Sequence, residues 1–457
     1  MLRNAFQKFF GFFALMLAFS CLMVGNAWSQ AVVPGWGWFP PVAGVAIDPN
    51  GMLATANFQM QSQLAAELQR NMQAVPSDLD TVNPLRKISM KKLDELIQQS
   101  RANNQPIPEE AQFLGGLLAI NYIVVVPEEN DVLLVGPAEG WVINGFGAVV
   151  GRQSGAPVLR LEDLITLFRS WPGNAPFQAI YCSIDPTPEG LARVRQLENS
   201  GAKYNMSPGN YAAALERAYG INEVTIGGVP ADSRIANVIV AADYRMKRIC
   251  LGHEPALIPR FATYPDLIPA GGAAHTSRFW LAADNATITH DEAKLTWNLS
   301  GVRVKTLSEA AFVASQGGGL RAASGGRDIP AERWAAQMTE RYTELAKANP
   351  IFAELQNCMD LAMVVALIQR ERLVDRANGQ FVYLTGANTF PLPTYATPRH
   401  VRPESVVVQK GPTSFVIAAG GVELNPFESV ANAHLDENLQ HRRPQLTTMT
   451  GTNWFSN

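Results

Sequence analysis

The chain has 457 residues, 37 of them Lys or Arg and 40 Asp or Glu, for a formal net charge of −3. This near balance, without an arginine-rich run, excludes a surface built to neutralise nucleic-acid phosphates. The length suffices for two or three compact units of roughly 100–200 residues each, and four cysteines are too few for a fold stapled by disulfides.

Residues 1–29 read as an export signal. Arg3 and Lys8 precede an uncharged run from Phe9 to Val24, Gly25 and Asn26 break it, and the small residues Ala27 and Ser29 stand two apart, as a signal peptidase requires. Cleavage is expected between Ser29 and Gln30, releasing a secreted or periplasmic protein with no further membrane span. The competing reading is a retained anchor, because the run approaches the roughly 18 apolar residues that cross a bilayer. Cys21 would leave with the signal. Cys182, Cys250 and Cys358 sit among apolar neighbours, as buried thiols do, and one disulfide between two of them stays open.

Residues 30–110 read as an extended arm, a strand and two helices. The arm carries Trp36, Trp38 and Phe39 among Gly and Pro. The helices fall at 61–73, with Leu64 and Leu68 on one face, and at 89–101, capped by Ser89 and with Leu93, Leu96 and Ile97 at helical spacing. Residues 111–315 read as a central α+β domain. Strands at 121–126 and 132–135 flank a turn and predict a hairpin, with 141–143 and 148–150 extending the sheet. Helices are expected at 161–171, 188–197 and 208–219, and strands at 177–184 and 223–226. The clearest helix follows Ser233: Ile235, Val238, Ile239, Ala242, Met246 and Ile249 recur at threes and fours, and Arg245, Lys247 and Arg248 suit its negative end. Short intervals among strands at 279–282, 286–289, 294–297 and 302–306 predict an antiparallel meander.

A Gly-rich linker at 316–330 leads to a helical pair at 331–376, whose second member is apolar nearly all round between Cys358 and Ile368 and is expected to be central and buried. That run is too short by itself to cross a membrane. Residues 377–431 read as a C-terminal β segment, with strands at 381–384, 406–408 and 415–418, and 432–457 as a polar tail. Asp48-Pro49, Asp185-Pro186 and Asn425-Pro426 each follow an apolar strand, which Asx-Pro turns explain; duplication of a small β unit is the alternative.

Motifs for chemistry fail their context. Ser154 sits in a Ser-Gly-Ala-Pro loop resembling a trypsin-like nucleophile loop, but all six histidines lie downstream, from His253 onward. Gly145, Gly147 and Gly151 resemble a dinucleotide fingerprint, yet Gly155 and Pro157 occupy the place of the phosphate-binding helix. Ser89-x-x-Lys92 lacks its companion Lys-Thr-Gly. His434, Asp436, Glu437 and His441 gather ligand types in the polar tail, where solvent exposure explains them, and no metal or other cofactor is expected. Asp360 stands in the apolar helix, where burial would raise its pKa unless an arginine such as Arg245 or Arg248 pairs with it. Trp36 and Trp38 offer stacking surfaces to a glycan or a protein, or dock on the core.

Five strings, at residues 85–90, 126–141 (ending in Glu139-Gly140-Trp141), 182–190 (with Asp185), 241–248 and 354–361, resemble an exported family best known from planctomycete-type bacteria and described only as a domain of unknown function. The resemblance spans 42–376. It implies export and a characteristic core, and carries no activity, cofactor or catalytic residue.

The sequence thus predicts an α+β protein with a mixed, largely antiparallel sheet region, packed helices, and a C-terminal helical pair plus β hairpin. The expected role is a non-catalytic binding or structural component of the cell envelope or extracellular space, with a protein or glycan partner and Trp36, Trp38, Glu139, Trp141, Asp185 and Asp360 as candidate binding residues. The alternative is an exported hydrolase using Glu139, Asp185 and Asp360, which requires two of these carboxylates to converge in one pocket.

Overall fold

The computed structural model describes residues 42, 44–56, 58–172, 178–269, 276–284, 287–299, 303–309, 311–312, 328–386, 390–408, 414–449 and 453–457. Ser29, Gln30, Trp36 and Trp38 lie outside them, as do residues 316–327 of the expected linker. In chain order the strands are β1 (Val45–Ile47), β2 (Met52–Thr55), β3 (Asn83–Ser89), β4 (Tyr122–Val126), β5 (Asp131–Ala138), β6 (Trp141–Ile143), β7 (Val149–Gly151), β8 (Ile180–Pro186), β9 (Asn222–Gly227), β10 (Thr276–Asp284), β11 (Ile288–His290), β12 (Thr296–Leu299), β13 (Arg303–Ser308), β14 (His400–Val401), β15 (Ser405–Val408), β16 (Ser414–Leu424), β17 (His434–Leu435) and β18 (Phe455–Ser456).

They form two large sheets and a hairpin. The first runs β1-β2-β14-β9-β8-β16-β10-β13, with β15 also on β16; the second runs β17-β11-β12-β4-β5-β3-β18; β6 and β7 form a separate hairpin. The pairings are antiparallel except β2 with β14, β10 with β16 and β11 with β17. The chain is therefore α+β with mixed, largely antiparallel sheets.

The principal helices are α1 (Phe58–Asn71), α2 (Met90–Ala102), α3 (Leu161–Ser170), α4 (Pro188–Asn199), α5 (Pro208–Tyr219), α6 (Arg234–Leu251), α7 (Ile329–Glu340), α8 (Tyr342–Ala348), α9 (Pro350–Arg370), α10 (Val382–Thr385) and α11 (Leu439–Thr447). Ser233 starts α6 by accepting from Ala236 N at 3.2 Å, and Gly252, in the left-handed region, ends it. Its apolar stripe covers β8 and β16 and meets α9. From Cys358 to Ile368 every residue of α9 is buried, because sheet-bound helices surround it. This 21-residue helix is long and apolar enough to cross a membrane by composition, yet lies mostly inside the fold.

Several elements depart from expectation. The four strands after residue 276 make no single meander: β10 pairs with β13 in the first sheet, while β11 and β12 form a hairpin in the second. Nested intervals permit either pairing, and burial of Trp297 and Ile288 in the core favours the split. β6 and β7 stand apart instead of extending the sheet. Residues 382–385 are a helical turn, because Asp94 from α2 accepts from Tyr383 N and Leu384 N at 2.7 Å each and so caps α10 in trans. α9 stops at Arg370, and left-handed Arg372 (φ 53°) redirects the chain before the turn at Leu373–Arg376.

The expected polar tail is a strap. β17 covers the β11 edge, α11 crosses β4 and β12, and β18 covers the β3 edge, so β17 and β18 cap the two edges of the second sheet. Leu439 and Leu446 complete an apolar cluster with Tyr122, Val124, Val126, Leu133 and Val135. His434, Asp436, Glu437 and His441 belong to this strap, and no group of three or more potential metal ligands occurs among the described residues.

Candidate functional site

Helix α6 is the spine of three polar groups. At its first turn Arg234 donates to Asp163 Oδ2 at 2.5 Å and to Glu354 Oε2 at 2.9 Å. Beside them Arg160 pairs with Glu162 at 3.0 Å, and Tyr395 donates to Glu162 Oε2 at 2.7 Å. All these side chains are buried, apart from a part-buried Tyr395 contact. Burial pushes Asp163 up to about 6 although Arg234 pulls it down, and raises Glu354 as well. Burial disfavours the Arg234 charge, but Asp163 and Glu354 outweigh it and hold the guanidinium well above its usual range. A cation at a helix N-terminus opposes the helix dipole, so Arg234 is there for these tertiary partners.

At mid-helix, Lys247 Nζ donates to Asp243 Oδ2 at 2.7 Å and to Gly420 O at 3.1 Å, on the side facing β16. Burial raises the Asp243 pKa despite Lys247. Burial, reinforced by Asp243, also raises the Cys182 thiol well above its usual range, which makes it a poor nucleophile.

At the C-terminal end Arg245 pairs with Glu254 at 2.7 Å and donates to Asn349 Oδ1 at 2.9 Å. Arg248 pairs with Glu254 at 2.5 Å and with Glu404. This end borders an open recess of about 650 Å³, lined by Glu254, Leu257, Ile258, Pro259 and Phe261 among others, a volume typical of ligand pockets. Leu257 and Arg260 hold left-handed backbones there (φ 61° and 52°), a strained state that surrounding contacts must impose. Gln337 supplies such contacts by clamping Ala262 N and O at 3.1 and 3.0 Å, and Arg341 by donating to Pro259 O at 2.9 Å.

The candidate residues nominated from sequence fall in separate places. Glu139 is buried and accepts from Ser154 N at 2.9 Å, Gln153 N at 3.2 Å and the Ser154 hydroxyl. It braces the turn after β7, and Gly151 is required because a Cβ there would sit 1.8 Å from Glu139 Oε1. Trp141 is buried edge-on to Phe113, with ring centroids 5.6 Å apart. Asp185 lies on β8 and pairs with Arg278 at 2.5 Å. Asp360 is buried on α9, and Arg245 and Arg248 contact Glu254, Asn349 and Glu404. Glu139 and Asp185 are thus fixed by different partners on different elements. The Arg234 and Lys247 groups were not anticipated; an arginine at a helix start and an Asp/Lys pair four apart on an apolar helix were their signals.

Residues 182–261 match a family described as a protein of unknown function (DUF1598). The DUF1598 segment runs from β8 through α6 to the recess, and includes the 182–190 and 241–248 strings but not Glu139 or Trp141. Asp243 and Lys247 of the second string pair beneath the sheet, and Lys247 bonds onward to Gly420 of β16, outside the matched residues. No curated protein and no solved structure matches the chain.

Proposed function

We propose that this is an exported, non-catalytic binding or structural component of the cell envelope or extracellular space. One observation carries the reading: Glu139 and Asp185, two of the three carboxylates suited to hydrolysis, are each fixed by local partners, Glu139 by the Gln153–Ser154 turn and Asp185 by Arg278. A general acid–base pair needs the two carboxyls within reach of one substrate. The buried charges along α6 are likewise paired with one another, which serves rigidity better than turnover. Export is supported by the leader at 1–29 and by the resemblance of the surrounding strings.

Fractionated cells should hold a processed protein, lacking residues 1–29, outside the cytosol. The purified protein should be retained by an envelope preparation without consuming it, and Trp36→Ala/Trp38→Ala tests whether the aromatic arm contributes. Hydrolysis of an envelope ester or glycoside that is abolished by Asp185→Asn or Glu139→Gln, in variants that still fold, would overturn the reading in favour of a carboxylate hydrolase.

A further inference from the structure

We propose that the outer face of the first sheet, centred on Tyr181, binds an uncharged β-linked polysaccharide chain. The proposal rests on the binding role above and names its ligand class. Along β8, Cys182 and Ile184 are buried on the side covered by α6, so Tyr181, Ser183 and Asp185 occupy the opposite face. The register sets Gly227 of β9 beside Tyr181, Thr225 beside Ser183 and Glu223 beside Asp185.

Tyr181 is 43 % exposed, and its ring lies across Gly227, where an added Cβ would sit 2.3 Å from it. Glycine there lets an aromatic ring rest on the sheet as a platform instead of standing up from it. The negative ring face attracts the partly positive axial C–H groups of a sugar. Four residues further along β8, about 13 Å away at strand spacing, the Asp185 carboxylate pairs with Arg278, each side chain 38 % exposed. Arg278 also lies 5.4 Å from the Trp280 ring centroid, which steadies a half-open guanidinium and carboxylate as donors and acceptors for sugar hydroxyls. Ser183 and exposed Thr225 place further hydroxyls between platform and ion pair.

Charge selects among polymers. Around Tyr181, Glu423 and Glu223 flank the Asp185–Arg278 pair on this face, so among the described residues there carboxylates exceed cations and disfavour nucleic acid or a uronate chain. A β-1,4-linked hexose polymer presents flat C–H faces to stack on Tyr181 and hydroxyl edges to meet the ion pair. Ser183, Asp185, Glu223, Thr225 and Gly227 all belong to the DUF1598 segment.

The test is calorimetric titration of the purified protein with cellohexaose, chitohexaose and a hexauronate, beside retention on an envelope preparation. Saturable binding of a neutral hexasaccharide and none of the hexauronate is expected. Tyr181→Ala should weaken that binding about tenfold, the loss of one stacking platform of roughly 1–1.5 kcal/mol, while Tyr181→Phe keeps the ring and stays within about threefold. Thr225→Lys, a substitution at an exposed position, should also block it, and circular dichroism melting should show all variants folded. Equal binding by wild type and Tyr181→Ala overturns the proposal. So does envelope retention without oligosaccharide binding, which leaves the broader role standing; loss of both removes the broader role too.

Discussion

Arg86 Nε donates to Asn457 Oδ1 at 2.6 Å, across 371 positions of sequence. Arg86 is fully buried and also donates to the carbonyls of Leu79, Gly115 and Thr81 at 3.2, 2.5 and 2.9 Å, while Asn457 Nδ2 donates to Asp78 O at 2.6 Å. One guanidinium therefore ties the strap to β3 and to the loops before and behind it. Burial lowers its pKa to about 10, still well above neutrality, so the charge persists at physiological pH.

Arg86→Met should destabilise the protein by about 3–5 kcal/mol, because several buried carbonyls lose their donor at once. Asn457→Ala removes one contact and should cost about 1 kcal/mol. Urea unfolding monitored by tryptophan fluorescence checks both; equal small losses would mean that the strap is held by Leu439 and Leu446 alone.

Stability should depend on pH in the direction set by buried carboxylates whose desolvation outweighs their partners. Burial pushes Asp94 up to about 6, against the backbone bonds from Leu384 and Tyr383 that pull it down, and Asp163 reaches about 6 as well. An unfolded Asp titrates near 3.9. Between about 4 and 6 the folded state holds more protons, so stability is fully present below that window and declines as pH rises through it. Asp94→Asn accepts the same two N–H bonds without the charge. Relative to that variant, the wild type should lose on the order of 1–2 kcal/mol between pH 4 and 6.5, measured by chemical unfolding at each pH. Parallel curves for the two proteins would show that Asp94 does not titrate there.

Elements written in one stretch of sequence were legible: the β4–β5 hairpin, α6 with its Ser233 cap, the buried α9, and the β15–β16 hairpin. Of the three Asx-Pro sites only Asp48 makes the expected turn, accepting from Asn50 N and Met52 N at 2.8 Å each; Asp185 and Pro186 stay paired within β8, and Asn425 precedes a helix without capping it. Strand β3 was hidden because Pro84, Arg86 and Lys87 give it the letters of a loop, and only the carbonyls around Arg86 make that charge tolerable in a core. The short apolar run at 381–384 fits a strand or a helix equally well, and Asp94, distant in sequence, decides the matter. Of the proposed sugar-binding face, Asp185 was nominated from its string, whereas Tyr181 was not, since its setting depends on Gly227 in the neighbouring strand β9.

The thiols should be silent in the native state. Burial raises Cys182, Cys250 and Cys358 well above their usual range, and all three are free and buried. An aromatic disulfide reagent should modify them on the order of 100-fold more slowly than a free thiol until denaturant is added, because only the exposed thiolate reacts. Rapid reaction of Cys182 in the folded protein would point to an open, activated thiol beside Asp243 and Lys247.

The Asp243–Lys247 pair allows the worth of a buried charge in the DUF1598 segment to be measured. Asp243 is wholly inaccessible and Lys247 nearly so, and Lys247 also caps the Gly420 carbonyl of β16, so helix and sheet meet through this ammonium. Lys247→Met leaves a carboxylate without its counter-charge in the core and should cost about 3–5 kcal/mol, whereas Lys247→Met/Asp243→Leu removes both charges and should recover most of that loss. The comparison requires only equilibrium unfolding of the wild type and these two variants in one buffer. A double variant as unstable as the single one would show that the hydrogen bond to Gly420, rather than compensation of Asp243, is what the helix requires of Lys247.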